Sequence, residues 1–281
     1  MEEQNFPTVL TAALPAGGTG KTPFTKVYGQ WKARQGYKVG MMDFDHQCSL
    51  SETYDIFKTE KTTLNIFKGG DVEFIPVEDN LWLAPSHPNL QYEPAHLRAE
   101  GTQNIYFLLE DWIYEHEEEI KRFDYLLIDT HPDTDIITKN ALAISTAQIG
   151  VVMPIEKSVN AIPKAEAALE KLKEDTYDKR HHEARVTCEL VLIGTNIEKV
   201  GKNYTKLSKQ LLQLMKEDER FVGYIPHKEL FAQSMSDEKV SIWTQLEDEK
   251  VLKDKSNVAF KKALEHAMIA MDNRIEELQW H

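Results

Sequence analysis

Short apolar runs alternate along this chain with longer segments in which apolar residues recur at helical spacing. The short runs are almost continuously apolar, as is typical of strands buried on both faces of a sheet. They cover residues 9–14, 38–43, 81–85, 125–129, 149–154, 189–194 and 221–225. This pattern predicts a central sheet whose strands are mostly parallel.

The segments between these runs are predicted to be helical: 22–35, 104–122, 161–173, 204–217 and 258–278. The last segment has one apolar stripe, formed by Leu264, Met268, Met271, Ile275 and Leu278. Alternating strands and helices predict an α/β fold, with a doubly wound sheet that carries helices on both faces. Because no linker or repeat divides the chain, residues 1–281 are predicted to be one domain, with the C-terminal helix of about 258–278 packed on it.

Composition narrows the possible functions. The 281 residues include 33 basic and 46 acidic residues, a net charge of −13, which argues against a surface that is basic throughout but leaves room for a local basic patch. No apolar run is long enough to span a membrane. The two cysteines, Cys48 and Cys188, lie far apart, so a cysteine-ligated metal cluster is not expected within one chain. A reduced, cytoplasmic protein is the simplest interpretation.

The strongest chemical signal is a glycine-rich segment between the first predicted strand and the first predicted helix. It reads Gly17-Gly18-Thr19-Gly20-Lys21-Thr22-Pro23. Glycines let backbone N–H groups turn toward phosphate oxygens, and the helix N-terminus favours the same anion. Lys21 is expected to reach the β- and γ-phosphates, and the Thr22 hydroxyl is expected to bind Mg²⁺. Pro23 is tolerated in the first helical turn. These seven residues therefore predict a phosphate loop for ATP with Mg²⁺; the alternative is a purely structural turn.

Acidic residues end two of the predicted strands. Asp43 and Asp45 close the second strand, and Asp129 closes the strand at 125–129. In open parallel sheets, ligands bind beyond the carboxyl ends of the strands, where a carboxylate orients metal-bound or attacking water. A single aspartate there is more often a turn or cap residue. Together with the glycine-rich loop, these acids favour a site for MgATP.

These motifs resemble those of the ParA/MinD family of deviant Walker ATPases. The first family motif is the phosphate loop, Lys-Gly-Gly-x-Gly-Lys-Thr, which corresponds to the glycine-rich segment. The second motif matches Asp43-Phe44-Asp45-His46-Gln47, and the third matches Phe123-Asp124-Tyr125-Leu126-Leu127-Ile128-Asp129-Thr130-His131-Pro132. The similarity continues through Val152-Met153-Pro154 and Gly223-Tyr224-Ile225-Pro226, so it spans almost the whole chain. The resemblance implies a P-loop NTPase fold.

The resemblance also implies roles for individual residues. Asp43 would position the hydrolytic water and contribute to the metal site, and Asp129 would hold water bound to Mg²⁺. Asn196 and Pro226 fall where the family holds adenine. For Asn196, a simple turn residue is an equally weighted alternative.

One position departs from the family pattern. A signature lysine that crosses to the phosphates of the partner subunit belongs where this chain has Ala16. Alanine carries no charge, so three interpretations stay open: slow ATP hydrolysis, another cation in the same role, or an engineered replacement that traps ATP. The catalytic positions to consider are therefore Asp43 and Ala16.

The resemblance and the charge pattern together favour the partition branch of the family. The last helix is acidic, whereas helices that lie on membrane surfaces favour lysine and arginine. Five lysines form the candidate DNA surface: Lys199, Lys202, Lys206, Lys209 and Lys228. The first four would share one face if their segment is helical. The alternative for them is an ordinary solvated face.

The expected function is that of a DNA partition ATPase that forms a homodimer with ATP, binds DNA non-specifically and is stimulated by a ParB-like centromere-binding protein. It would be cytoplasmic, associated with the nucleoid when ATP is bound, and would not act at a membrane. Two alternatives are a MinD-like positioning ATPase that cycles on a membrane and an ATP-bound scaffold with little hydrolysis.

Overall fold

The computed structural model describes residues 6–57, 59–200, 203–233 and 240–279. In this part of the chain the strands are β1 (Thr8–Ala12), β2 (Val39–Phe44), β3 (Ile75–Glu78), β4 (Leu81–Ala84), β5 (Tyr125–Thr130), β6 (Ala147–Val152), β7 (Tyr177–Asp178), β8 (Glu183–Ala184), β9 (Glu189–Ile197), β10 (Lys199–Val200), β11 (Asn203–Tyr204) and β12 (Phe221–Pro226). Two short antiparallel pairs, β7 with β8 and β10 with β11, lie outside the main sheet.

Helices fill the connections between the strands. The α-helices are α1 (Lys21–Arg34), α2 (Ser49–Glu52), α3 (Glu93–Ala99), α4 (Leu108–Glu115), α5 (Glu117–Ile120), α6 (Ile136–Ala143), α7 (Glu156–Val159), α8 (Ile162–Asp175), α9 (Lys206–Glu217), α10 (Glu229–Gln233), α11 (Ile242–Gln245) and α12 (Lys255–Gln279). Short 3₁₀ segments cover Thr63–Lys68, Pro88–Tyr92 and Val251–Lys253.

The main sheet has eight strands in the order β12-β9-β6-β1-β5-β2-β4-β3. Its neighbouring strands are parallel except for β3, which pairs antiparallel with β4 at one edge. Adjacent residues of each strand face opposite layers: Leu10 packs in the core with α1 and α12, while Val9 packs in the core with α4 and α6. The predicted doubly wound, mostly parallel α/β fold is confirmed.

The structure corrects two details of the sequence-based assignment. The single helix predicted for residues 104–122 is two shorter helices, α4 and α5, that meet at His116. His116 has φ −116° and ψ 27°, outside the helical region, and its Nδ1 lies 2.8 Å from the carbonyl oxygen of Trp112. Strand β3 was not predicted, because its alternate residues are half-buried and exposed rather than continuously apolar.

The apolar stripe of α12 faces the sheet. Leu264 and Met268 are fully buried in the same core as α1, with Met271 and Ile275. Tyr28 Oη on α1 donates a hydrogen bond of 2.6 Å to Asp272 Oδ1 on α12, so a polar contact joins the two helices beside the apolar one. Within the described residues, no helix is both long and apolar enough to cross a membrane.

Leu264→Ala should lower the free energy of unfolding by about 2–5 kcal/mol, because a buried leucine is removed and a cavity remains. The matched control is Ile269→Ala on the same helix, where the side chain is 48% exposed. That control should stay within about 0.5 kcal/mol of the wild type. Urea unfolding followed by circular dichroism measures both. Equal effects of the two substitutions would contradict the packing of α12.

Candidate functional site

The glycine-rich loop joins the carboxyl end of β1 to the N-terminus of α1. Gly18 and Gly20 have φ values of 73° and 95°, a conformation that side chains disfavour, which is why the loop needs glycine there. Gly20 precedes α1 and no side chain caps that helix. The N-terminal amides of α1 are therefore not occupied by a side-chain cap, and the helix dipole favours an anion at this place.

Lys21 is folded back over this loop. Its Nζ donates to the carbonyl oxygens of Leu14 at 3.3 Å and Ala16 at 3.2 Å, and the residue is 6% exposed. Burial lowers the pKa of the Lys21 ammonium, and the nearby carboxylates of Asp129 and Asp45 partly oppose that shift. A phosphate in the loop would offer this ammonium a stronger, charge-assisted acceptor than the two carbonyl oxygens.

Thr22 and Asp129 form the polar contact next to Lys21. The Thr22 hydroxyl donates to Asp129 Oδ2 at 2.5 Å, and the Thr25 hydroxyl donates to Oδ1 at 3.4 Å. Burial and, after it, repulsion from Asp43 raise the pKa of Asp129 to about 8, although the Thr22 hydrogen bond and Lys21 act in the opposite direction. A bound cation would stabilise the ionised form of buried carboxylates that lie this close together. The hydroxyl and carboxylate oxygens are the donors that Mg²⁺ prefers, so these residues fit it.

Asp43 lies beside Asp129, because β2 and β5 pair with these two residues in register. Its carboxylate is fully buried and already engaged: Oδ2 accepts from the backbone N–H and the hydroxyl of Ser51 at 2.8 and 2.7 Å, and Oδ1 accepts from the N–H of Asp45 at 3.0 Å. Burial raises the pKa of Asp43 to about 6. In this state Asp43 holds the loop after β2 in place. Its predicted contact with the hydrolytic water stays a prediction.

Asp45 was predicted only as one of the two acids that close the second strand, without a role of its own, and the structure places it close to the phosphate loop. It is one of the carboxylates that act on the pKa of Lys21. Its Oδ1 accepts a hydrogen bond from the N–H of Gln47, and His131 Nδ1 lies 2.8 Å from the same oxygen. Because it is less engaged than Asp43, Asp45 is a second candidate for orienting water. The second acid of the Asp-x-Asp motif was the available sequence signal.

Asn196 and Pro226 lie close together at the carboxyl ends of two neighbouring strands. They lie at the ends of β9 and β12, where Ile197 pairs with Pro226. Asn196 has a left-handed φ of 57°, and its Oδ1 accepts a hydrogen bond from His227 Nδ1, a residue that the sequence argument did not select. The nearby Thr195 hydroxyl donates to the carbonyl oxygen of Thr19 at 3.2 Å, which ties β9 to the glycine-rich loop.

Ala16 is almost fully buried, with 1% of its surface exposed, in the core that also contains Leu142 and Val152. A different cation lies beside the loop. Lys157 Nζ is 3.9 Å from the point at which a side chain on Gly17 would begin, and its charge helps to lower the pKa of Lys21. Lys157 belongs to α7, after β6, and was not selected from the sequence. It fits the second of the three interpretations of Ala16, a cation supplied from elsewhere.

The predicted lysine surface is only partly helical. Helix α9 begins at Lys206, with Thr205 as its N-cap, so Lys206 and Lys209 are exposed on it. Lys199 lies instead on β10, where its Nζ is 4.5 Å from the centre of the Tyr204 ring. The expectation that Lys199 shares a helix face with them is therefore wrong. Lys202 lies outside the described residues, and Lys228 Nζ donates to Ser256 Oγ at 2.6 Å.

An open cavity of about 1520 Å³ lies at the opposite end of the sheet. Its lining includes Thr8 and Tyr125, the first residues of β1 and β5, whereas the glycine-rich loop follows the last residue of β1. This cavity is therefore separate from the phosphate loop.

A comparison with protein families decides the assignment. The model of the AAA domain family AAA_31 matches residues 8–182, which include the glycine-rich loop, Asp43 and Asp129. The chain is a ParA/MinD-type P-loop ATPase. The family predicted from the three sequence motifs is thus confirmed.

Solved structures of similar fold include proteins in complex with ATP or an ATP analogue. A plasmid partition protein of Borrelia burgdorferi bound to AMPPNP is 22% identical, with a TM-score of 0.74 over 95% of this chain and 99% of that one. McdA of Cyanothece in complex with ATP is 19% identical, with a TM-score of 0.76 over 95% and 97% of the two chains. Cobyrinic acid a,c-diamide synthase of Mycobacterium smegmatis, with an ATP analogue and magnesium, has a TM-score of 0.63 at 18% identity and covers 75% and 82%. These identities establish the fold alone.

Curated relatives match part of this ParA/MinD-type chain. An iron-sulfur cluster carrier protein of Clostridium perfringens is 30% identical over 178 residues, which are 57% of this chain and 60% of that protein. An uncharacterized protein of Mycobacterium tuberculosis is 28% identical over 155 residues, 53% of this chain and 46% of that protein. The match thus covers about half of each protein's length.

Proposed function

We propose that this ATPase partitions DNA. In this proposal MgATP closes a homodimer, the dimer binds DNA without sequence preference, and a ParB-like centromere-binding protein stimulates hydrolysis and release. The observation that carries the proposal is the phosphate loop, in which Lys21 contacts the loop backbone and Thr22 donates a hydrogen bond to Asp129. The fold shared with plasmid partition proteins along nearly the whole chain supports this branch of the family.

The residues of the loop account for binding of ATP. Lys21 exchanges its two carbonyl acceptors for the β- and γ-phosphates, and the amides at the start of α1 surround the phosphate oxygens. Thr22 and Asp129 would hold Mg²⁺, which when bound neutralises phosphate charge. Asn196 and Pro226, at the ends of β9 and β12, would contact adenine.

Hydrolysis is expected to be slow in this sequence. Phosphoryl transfer spreads negative charge over the γ-phosphate and the bridging oxygen, and a cation that reaches this charge stabilises the transition state. Ala16 has no charge to offer, so Lys21 and Mg²⁺ carry most of the stabilisation. Lys157 is the further cation beside the loop. Its exposed position would allow it to reach the phosphates of its own subunit or those of a partner.

The proposed DNA surface is centred on α9. Lys206→Glu with Lys209→Glu should abolish most DNA binding of the ATP-bound protein and act equally on all sequences, because lysines that bind phosphates do not distinguish bases. The log–log slope of affinity against salt should also become shallower, by about 0.9 for each phosphate that the protein no longer neutralises. Fluorescence anisotropy with two unrelated duplexes at several salt concentrations measures both effects.

The matched control is Lys164→Glu with Lys171→Glu. These exposed lysines lie on α8, and the double substitution changes the net charge by the same amount. If the control weakens DNA binding as much as the α9 variant, overall charge rather than the α9 surface is responsible. Strong sequence preference in the wild type would also contradict the proposed contact.

A further inference from the structure

Three side chains that commonly bind metal ions converge at the loops after β2 and β5. They are Asp45, His46 and His131, and one ligand atom from each lies within 4.8 Å of the others. The Asp45 side chain is 7% exposed, and the two histidine side chains are 27% and 25% exposed. The cluster is therefore partly shielded but open on one side.

The pairing of two parallel strands brings these residues together. Phe44, the last residue of β2, lies opposite Thr130, the last residue of β5. The residues that follow these strands, Asp45 and His131, therefore lie side by side. His131 Nδ1 lies 2.8 Å from Asp45 Oδ1, and His46 Nδ1 lies 4.0 Å from the same oxygen. The centres of the two imidazole rings are 4.1 Å apart. Two imidazoles thus face one carboxylate oxygen.

The donor set indicates the kind of metal. Two imidazole nitrogens and a carboxylate oxygen suit Zn²⁺ and similar transition metals, whereas Mg²⁺ prefers oxygen ligands alone. Tetrahedral zinc with bonds of about 2.0–2.1 Å separates its ligand atoms by roughly 3.3 Å. Relative to this geometry, the 2.8 Å contact of His131 with Asp45 must widen slightly and the 4.0 Å contact of His46 with Asp45 must shorten. The partly exposed histidines allow both changes by rotating.

We propose that Asp45, His46 and His131 bind one divalent transition-metal ion of the Zn²⁺ class, with a coordination position left open. This site shares no ligand with the Mg²⁺ position at Thr22 and Asp129, and it uses nitrogen ligands from the loops beyond the ends of the strands. The inference does not depend on the partition function, since it concerns the nucleotide-free chain.

A simpler explanation is that Asp45 only accepts a hydrogen bond from His131. The chain contains a matched example of such a pair: His181 Nδ1 lies 2.8 Å from Asp178 Oδ2, the same separation as in the cluster. Within the described residues, that pair does not form a three-ligand group. His181→Asn therefore serves as the control for removal of a histidine beside an aspartate.

The first test is titration of the untagged, nucleotide-free protein with Co²⁺, in which the visible d–d absorption of the bound Co²⁺ is measured. Zn²⁺ is then added to displace the Co²⁺. We expect one Co²⁺ per chain, with intense absorption typical of a low-coordinate site that persists in excess Mg²⁺. His46→Asn and His131→Asn should each weaken Co²⁺ binding more than about tenfold, since even removal of a supporting partner outside the ligand set costs that much. His181→Asn should bind as the wild type does.

A second measurement avoids substitutions that could impair folding. Diethyl pyrocarbonate modifies free imidazoles, and mass spectrometry of the wild type locates the modified histidines. Zn²⁺ should protect His46 and His131 while His181 reacts as before. Equal reaction with and without Zn²⁺ would overturn the proposal, as would Co²⁺ absorption that disappears in excess Mg²⁺ or survives in the His46→Asn/His131→Asn protein. Measuring ATP binding on the same samples separates this outcome from a failure of the nucleotide site.

Discussion

Ala16→Lys should raise ATP turnover, stimulated by DNA and the partner protein, by at least about tenfold, toward the 10³–10⁵-fold that a cation acting in trans supplies in related phosphoryl transfers. The gain is expected in the transition state, where charge develops on the γ-phosphate oxygens. Lys21, Mg²⁺ and the loop amides already serve the ground state, so nucleotide affinity should change little. Steady-state phosphate release by both proteins, with ATP binding measured in parallel, is the experiment.

Two control variants separate charge from volume in this experiment. Ala16 is 1% exposed in the single chain, so any larger side chain must leave the core around Leu142. Ala16→Met introduces a long side chain without charge and should not raise turnover. Lys157→Met in the wild-type background tests whether Lys157 already supplies the cation. Equal turnover of the wild type and Ala16→Lys, with slower turnover in Lys157→Met, would show that Ala16 is not a deficit.

Lys21→Ala should weaken ATP binding about 10- to 150-fold, because a charge-assisted hydrogen bond of about 1.5–3 kcal/mol is removed. Lys21 is buried and donates to Leu14 and Ala16, so the variant also needs a check of its unfolding midpoint. Isothermal titration calorimetry with MgATP measures the affinity. Lys171→Ala, an exposed lysine on α8, is the control. Unchanged ATP affinity in Lys21→Ala would show that the loop does not bind the phosphates as described.

The phosphate loop and the central strands were predictable because their signals are local. Gly18 and Gly20 adopt positive φ values that the motif requires, and each central strand is apolar on both faces because helices cover both. Placing Asn196 near Pro226 came from the family resemblance, and the pairing of β9 with β12 brings the two residues to one edge. Contact of either residue with adenine stays a prediction.

The features that the sequence did not reveal depend on contacts between residues far apart in the chain, or on the backbone conformation of one residue. The cluster of Asp45, His46 and His131 arises only from the register between β2 and β5, which a linear pattern does not contain. Lys157 approaches Gly17 because β1 and β6 are parallel neighbours, so the segments that follow them meet at the same end of the sheet. The break between α4 and α5 results from the non-helical backbone angles of His116. The sequence pattern did not indicate this break, because the apolar residues on both sides of His116 recur at helical spacing.

The central claim, that ATP switches this protein onto DNA, is tested most directly by fluorescence anisotropy of two unrelated duplexes at one fixed salt concentration. With MgATP, the wild type should bind both duplexes with equal affinity, and with ADP, without nucleotide, or in Lys21→Ala, it should bind neither. Vesicles of anionic phospholipid should not retain the protein under the same conditions. DNA binding that is independent of nucleotide, or ATP-dependent binding to the vesicles in place of DNA, would contradict the account.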